Sequence, residues 1–155
     1  MIIYPNPILR KKCKPIKYLD TEIIDKMFQI LSKTGNGVAL SANQIGYPIA
    51  VFVYSLGTNR GVVINPRIIS KSKEIIISEE ACLSIPGIIG KVERSKSIII
   101  KTINGIETIG GSFAIIFQHE IDHLNGILFI DRIKNLEDFT HIKGVLPDEV
   151  AERFI

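Results

Sequence analysis

Apolar residues recur with a helical period between Asp20 and Gly37. Their spacing of one, three and four residues places them on one face of an α-helix. These positions are Ile23, Ile24, Met27, Phe28 and Leu31. Asp20 can accept a hydrogen bond from the first free backbone N–H groups, and Gly35 or Gly37 can end the helix. The pattern therefore predicts an amphipathic helix that starts after Asp20 and ends at Gly35 or Gly37.

Strand patterns fill much of the middle of the chain. Runs rich in β-branched residues predict strands at positions 49–54, 61–65, 74–77, 97–103 and 106–109. The last two runs flank Asn104-Gly105, a dipeptide that suits the positive φ angles of a two-residue hairpin turn. Pro5 and Pro7 disfavour a helix near the start, so we expect an extended first segment.

A second helix is predicted at positions 113–124. Ser112 can cap its start, and Asn125-Gly126 can end it. The last part of the chain is more polar and leaves room for only a short helix after Pro147. The order of helix, several strands and helix indicates an α+β fold rather than alternating β-α units.

The composition is that of one globular domain. The chain has 155 residues, of which 46% are hydrophobic and 23% are charged, and such a chain buries about two thirds of its unfolded surface in one core. We therefore expect a single domain over residues 1–155.

Charge and hydropathy disfavour two classes of partner. The net charge of +3 is small and the lysines are dispersed along the sequence, so no direct nucleic-acid binding is expected. The sequence has neither a signal-peptide pattern nor a run of about 20 apolar residues. We expect a cytoplasmic protein that does not contact a membrane.

Two histidines lie four residues apart in the second predicted helix. In His119-Glu-Ile-Asp-His123 both imidazoles project from one face of the helix, one turn apart, where one cation can bridge them. Glu120 lies next to that position and can exchange a proton with water bound to a metal. The alternative is that two structural histidines have this spacing by chance. His141, in a polar segment, is expected to be a surface residue.

Cys82 is the candidate for a third ligand. A catalytic site of this kind uses three protein ligands and leaves one position for water, and a thiolate suits Fe, Ni, Co or Zn. Cys82 follows a strand-like run and precedes a Pro-Gly pair, so we expect it on a loop. Taken alone, a cysteine is more often a small buried apolar residue. Cys13 is expected to be a free thiol, because a cytoplasmic protein seldom forms disulfides.

Three motifs in the chain resemble those of the peptide deformylases. They are Gly37-Val-Ala-Leu-Ser-Ala-Asn-Gln-Ile-Gly46, Glu80-Ala-Cys-Leu-Ser84 and His119-Glu-Ile-Asp-His123, and residues 4–10 and 124–131 are also similar to the family. The resemblance covers about residues 1–133 and implies one catalytic domain over residues 1–155, with a shortened tail from about residue 133. It implies small mixed or antiparallel sheets packed around a central C-terminal helix that carries His-Glu-x-x-His, together with an N-terminal helix.

The resemblance also implies an activity. Members of the family are metal-dependent amide hydrolases that remove the N-formyl group from the formyl-methionine of newly synthesised polypeptides and release formate. The implied cofactor is one divalent ion held by Cys82, His119 and His123, with Fe²⁺ expected natively and Zn²⁺ or Ni²⁺ as substitutes. The resemblance would place the protein in the bacterial cytoplasm, or in the host cytoplasm if the protein is phage-encoded.

The family's motifs imply roles for individual residues. Glu120 would transfer the proton to the leaving amine, while the Gln44 side-chain amide and the Leu83 backbone N–H would stabilise the oxyanion. Glu80 and Arg94 would form a supporting ion pair beside the metal ligands. An apolar pocket for the substrate methionine is assigned to Val38, Ala39, Ile115 and Ile116. The alternative is that these apolar residues belong only to the core.

The sequence departs from the family pattern at several points. Ala39 and Ala81 stand where glycine is usual, and Ser41 stands where alanine is usual. If Ala39 or Ala81 had to adopt a positive φ, the strain would be about 1–2 kcal/mol and could reshape the site. Residues 133–155 do not match the long C-terminal helix with which many members contact the ribosome, which leaves a transient ribosome contact in doubt.

Two other functions are consistent with part of the pattern. Zinc endopeptidases of the thermolysin type also use His-Glu-x-x-His, but their third ligand comes from a downstream helix, whereas Cys82 lies upstream. A catalytically silent homologue would bind metal or formyl-peptides without turnover. Such a protein has no need of the Glu120 proton shuttle, so deformylation is the favoured hypothesis.

Overall fold

The computed structural model describes residues 1–144 and 146–155. In that part of the chain the α-helices are α1 (Thr21–Ser32), α2 (Gly111–Leu124) and α3 (Asp148–Ala151). The strands are β1 (Ala39–Ser41), β2 (Val51–Leu56), β3 (Asn59–Ile64), β4 (Arg67–Lys71), β5 (Ile75–Cys82), β6 (Ile85–Ser95), β7 (Ser97–Thr102), β8 (Gly105–Gly110) and β9 (Phe139–Ile142). Short 3₁₀ helices span Pro7–Arg10, Ala42–Ile45, Phe129–Arg132, Leu136–Asp138 and Glu152–Phe154.

The strands form three small sheets. Their orders are β1-β2-β3, β4-β7-β8 and β5-β6-β9, and each pairing between these strands is antiparallel. Helix α2 contacts strands from all three sheets. The predicted α+β fold, with antiparallel sheets around a central helix near the C-terminus, is confirmed.

Three clusters of buried side chains stabilise this arrangement. The apolar face of α1 packs on β1 and β2, where Met27, Leu40 and Val51 are buried. One face of α2 packs on β2 and β7, and there the rings of Phe52 and Phe117 meet edge to face with centroids 5.0 Å apart. A third cluster joins the N-terminal segment, β6 and the last part of the chain. The apolar side chains of α2 belong to the second of these clusters, through Phe117, Ile121 and Leu124.

The first helix begins where the sequence predicts and ends earlier. The Asp20 side chain accepts a hydrogen bond from the Glu22 backbone N–H at 2.9 Å. The helix ends at Ser32 rather than at Gly35 or Gly37, because the Thr34 hydroxyl and backbone N–H both donate to the Leu31 carbonyl. The prediction of a wholly extended start is also wrong, since residues 7–10 form a 3₁₀ turn. Proline is tolerated there because it occupies the first position, where no N–H is needed.

The β7-β8 hairpin is present, but its turn is shifted by one residue. Thr102 pairs with Gly105, so Ile103 and Asn104 form the two-residue turn instead of Asn104-Gly105. The positive φ falls on Gly105, at +112°, where glycine has no steric cost. The dipeptide thus identified the hairpin correctly but not the register of its turn.

The second helix and the tail show smaller differences. Helix α2 begins at Gly111 with Gly110 at its N-cap, and no side chain caps it, so the predicted cap at Ser112 is wrong. The predicted short helix after Pro147 is present as α3. His141 is exposed on β9, a strand that the polar sequence around it did not reveal. None of the helices described here has the length and apolar character needed to cross a membrane.

Candidate metal centre and active site

Side chains from β5 and α2 meet at one buried point. The Sγ atom of Cys82 and one imidazole nitrogen each from His119 and His123 lie within 4.8 Å of one another. The Cys82 Sγ is 3.2 Å from His123 Nε2. The two histidines share a helix face because they are four residues apart, while Cys82 is brought to them by the packing of β5 against the rest of the fold.

Cys82 is the last residue of β5 and not part of a loop, contrary to the expectation from sequence. The pairing of β5 with β6 shifts register between Ala81 and Cys82. Such an irregularity at a strand end redirects the following side chain. Both Cys82 and Cys13 are buried free thiols, and Cys13 lies in a different core cluster.

An ion-pair network fixes the orientation of His119. Its Nδ1 atom is 2.9 Å from Glu80 Oε1, which leaves Nε2 to face the cluster. Glu80 in turn accepts two hydrogen bonds from Arg94, at 2.8 and 2.7 Å. Burial opposes ionisation of Glu80, but the bonds from Arg94 and His119 outweigh it and lower the pKa of Glu80 to about 2. Glu80 is therefore a carboxylate that can hold one tautomer of His119.

The network continues through residues that the sequence did not single out. Arg94 also donates to Asp122 at 2.6 Å, and Asp122 accepts two further bonds from Arg132, at 2.8 and 2.7 Å. Asp122 lies inside the His-Glu-x-x-His motif, and its position next to His123 was a signal that sequence reasoning missed. The buried charges of Glu80, Arg94 and Asp122 are thus all paired.

Glu120 lies beside the three candidate ligands. It is 4% exposed, and its Oε2 atom has no hydrogen-bond partner among the described residues. Burial raises the pKa of Glu120 to about 7, although the neighbouring His119 charge opposes that shift. A buried carboxyl with a free oxygen and a pKa near neutrality suits a general acid and base.

The Gln44 side chain is oriented by its neighbours. Its Oε1 atom accepts from the Ser41 backbone N–H at 2.9 Å and lies 3.0 Å from the Ser41 hydroxyl. Its Nε2 atom therefore points the other way, 3.1 Å from Ser84 Oγ and 3.7 Å from Cys82 Sγ. The backbone N–H of residue 41 thus helps to direct the Gln44 amide N–H groups toward the candidate metal site, while the Ser41 hydroxyl lies nearer to Asn43 Oδ1, at 2.7 Å.

A cavity of about 420 Å³ opens beside the cluster. Its wall includes His119, Glu120 and the four residues predicted to bind the substrate, which are Val38, Ala39, Ile115 and Ile116. Gln44 and Leu83 line it as well. The structure thus brings the predicted substrate and oxyanion residues together around one space next to the candidate ligands. Their roles in catalysis remain predictions.

The backbone is unstrained at Ala39 and Ala81, the two alanines that stand where the family usually has glycine. Among the described residues, Asn65 is the only non-glycine with a positive φ. Ala39 lies in β1 and Ala81 in β5, in strand conformation. The backbone strain that a positive φ would cause at Ala39 or Ala81 is therefore absent.

The donor set suits a divalent transition-metal ion. One thiolate and two imidazoles are ligands that such ions favour, and three protein ligands leave a coordination position free. Burial, with the nearby charges of His119 and Arg94, holds the pKa of His123 well below its usual range, so this imidazole has a free lone pair. Burial disfavours a charged His119, yet its hydrogen bonds to Cys82 and Glu80 raise its pKa well above the usual value. Groups that favour a proton in this way also favour a metal cation.

Comparison with known proteins agrees with this geometry. The model of the family described as polypeptide deformylase matches residues 1–139. The chain belongs to the polypeptide deformylase family. It is 40% identical over 140 residues to peptide deformylase from Thermotoga neapolitana, covering 85% of each chain. It is also 40% identical to chloroplastic peptide deformylase 1B from Solanum lycopersicum, covering 86% of this chain but only 52% of that protein, about half its length.

Solved deformylase structures share the fold. The crystal structure of peptide deformylase from Plasmodium falciparum superposes with a TM-score of 0.82 at 36% identity, covering 88% of this chain and 87% of that one. In this family member the structure places a Cys, His, His cluster and an adjacent glutamate beside a cavity whose wall is partly apolar. A metal-dependent amide hydrolase uses such parts, namely ligands for a Lewis-acidic ion, a proton carrier and a pocket that limits the access of bulk water.

Proposed function

We propose that this chain hydrolyses the N-formyl group of peptides that begin with formyl-methionine, releasing formate. The observation that carries the proposal is the convergence of Cys82, His119 and His123 beside Glu120, next to a partly apolar cavity. The substrates would be newly synthesised polypeptides in the cytoplasm.

The cation site is assigned to Cys82, His119 and His123. A divalent ion held there, which we expect to be Fe²⁺ with Zn²⁺ or Ni²⁺ as substitutes, would polarise the formyl carbonyl and lower the pKa of a water molecule. Glu80 supports the site by fixing the His119 ring, and Arg94 keeps Glu80 ionised.

The protein groups then handle the proton and the developing charge. Glu120 takes a proton from the attacking water and donates it to the amine nitrogen as the C–N bond breaks. The Gln44 amide and the Leu83 backbone N–H stabilise negative charge on the former carbonyl oxygen. Val38, Ala39, Ile115 and Ile116 bury the methionine side chain and exclude bulk water from the reacting carbon.

The first experiment measures formate release from formyl-Met-Ala-Ser by anaerobically prepared Fe²⁺ or Ni²⁺ protein. Deformylation without cleavage of the Met-Ala bond is the expected result. Cleavage of that internal bond would indicate an endopeptidase. A protein that binds one metal ion per chain but releases no formate would be a silent homologue, and the proposal would be wrong.

Two substitutions separate proton transfer from metal binding. We expect Glu120→Gln to keep one metal ion per chain and lose about 10²–10⁴-fold in kcat. Cys82→Ala should instead weaken metal binding itself. Glu107→Gln is the matched control, because Glu107 is exposed on β8 and does not line the cavity. Unchanged kcat in Glu120→Gln would exclude the proposed proton carrier.

The metal assignment has its own measurement. If Fe²⁺ is the native ion, activity of the iron protein should decay in air, because the iron or its thiolate ligand is oxidised. The Ni²⁺ protein, prepared in parallel, should keep its activity. Equal stability of both forms in air would argue against iron.

A further inference from the structure

The 3₁₀ turn Phe129–Arg132 contacts the ligand-bearing helix at two points. The Phe129 ring stacks on the His119 imidazole, with centroids 6.2 Å apart and an interplanar angle of 21°. Three residues further on, Arg132 pairs with Asp122 through two hydrogen bonds. Because Phe129 and Arg132 belong to one turn, a shift of this turn would displace both the ring that stacks on His119 and the guanidinium that bonds Asp122.

These contacts close a ring that begins and ends at His119. It passes from His119 to Glu80, Arg94, Asp122 and Arg132, and returns through the turn and Phe129. The His119 imidazole is thus restrained at Nδ1 by Glu80 and on one face by Phe129. The 3₁₀ turn is the link in this ring that connects Arg132 to Phe129 through the backbone.

Arg153 holds the end of that turn. Its guanidinium donates to the carbonyl oxygens of Ile130 at 2.7 Å, Ile133 at 2.6 Å and Asp131 at 3.3 Å. Carbonyls at the end of a helical turn have no partner within the helix, and the planar guanidinium can bond several of them at once. Arg153 is thus the cap of the turn that supports His119.

The tail that carries Arg153 is anchored in the protein interior. Val150 in α3 is 1% exposed and belongs to the same buried cluster as Cys82 and Phe129. The family match ends at residue 139, so Arg153 lies in a segment beyond the part shared with the family model.

We propose that Arg153 is a positioning residue for the metal site, acting through the 3₁₀ turn to hold His119 in its ligand orientation. The proposal rests on the assignment of His119 as a metal ligand under the proposed function. Arg153 does not line the cavity beside Glu120, so its effect is on metal binding and the rate of the chemical step rather than on substrate contacts.

The test compares Arg153→Ala with the full-length parent protein loaded with Co²⁺. We expect Co²⁺ affinity, measured by competition with a chelator, to fall about tenfold, the lower end of the range found when a direct hydrogen-bond partner of a metal ligand is lost. The near-ultraviolet thiolate-to-cobalt absorption should also shift, because the ligand geometry relaxes. With formyl-Met-Ala-Ser, kcat should fall while KM stays close to that of the parent. Arg67→Ala, an exposed arginine on β4, is the matched control.

A merely structural role for Arg153 gives a different result. In that case Arg153→Ala would lower the melting temperature but keep the parent's Co²⁺ affinity and absorption spectrum, and the proposal would be overturned. If Arg153→Ala does not fold, Arg153→Lys keeps the charge but lacks the planar fork, and it should show a smaller loss of Co²⁺ affinity. Parent-like affinity and spectrum in Arg153→Lys would then also overturn it. Because metal binding is measured directly, a parent protein that binds Co²⁺ but does not remove the formyl group from formyl-peptides would count only against the proposed function.

Discussion

Replacement of Arg94 by methionine tests how strongly the buried ion-pair network stabilises the fold. Arg94 is 3% exposed and makes three hydrogen bonds of 2.6–2.8 Å to Glu80 and Asp122. Methionine keeps much of the apolar stem but removes the charge, so two buried carboxylates lose a partner. Removing one member of a buried ion pair typically costs about 3–5 kcal/mol. We expect about 3 kcal/mol, the lower end, because Glu80 keeps His119 and Asp122 keeps Arg132.

The measurement is the free energy of unfolding in urea, with a chelator present so that metal binding to the native state does not contribute. Lys96→Met is the matched control. Lys96 pairs with Glu74 at 3.2 Å, but both side chains are more than half exposed, and such surface pairs contribute about 0–1 kcal/mol. A loss in Arg94→Met no larger than that in Lys96→Met would refute the argument. In the double variant with Glu80→Gln, the loss should be smaller than the sum of the two single losses, because one unpaired charge is then removed.

Two further outcomes follow from the structure. A Cβ atom at Gly126 would lie 2.3 Å from the Arg10 carbonyl oxygen, whereas one at Gly35 would meet nothing within 4 Å, although φ is similar at +75° and +72°. Gly126→Ala should therefore lose about 1–3 kcal/mol more unfolding free energy than Gly35→Ala, and equal losses would contradict the predicted clash. Burial raises the pKa of Cys13 to about 11, so in a Cys82→Ser background its alkylation at pH 8 should be about 100-fold slower than after unfolding in urea. The native rate should rise as pH approaches 11, and equal rates in both states would show that the thiol is accessible.

Local geometry explains what could be predicted along single elements. The two histidines share a helix face because the α-helix turns by 100° per residue, a property of the backbone that does not depend on tertiary contacts. The cap at Asp20 is a contact between residues two apart. The β7-β8 hairpin was also predicted, but its turn moved by one residue because cross-strand pairing places Gly105 opposite Thr102.

Donor chemistry and the family resemblance, rather than periodicity, pointed to the third donor. Spacing alone left Cys82 as either a ligand or a small core residue, and its predicted loop is in fact the end of a strand. Cys82 reaches the histidines through the pairing of β5 with β6 and the packing of the sheet on α2. Cys82 and His123 are 41 positions apart, so no local pattern contains their contact.

The sequence by itself determined the helix with its two histidines, the glutamate between them and the family to which the chain belongs. Only the tertiary structure decided that Asp122 and Arg132 complete a ring around His119, and that Arg153 caps the turn in that ring. Short-range spacing is set by backbone geometry, which every helix shares. The partners of a buried charge such as Asp122 depend instead on which distant segments pack together. The tail that carries Arg153 reaches the turn because Val150 packs in the interior.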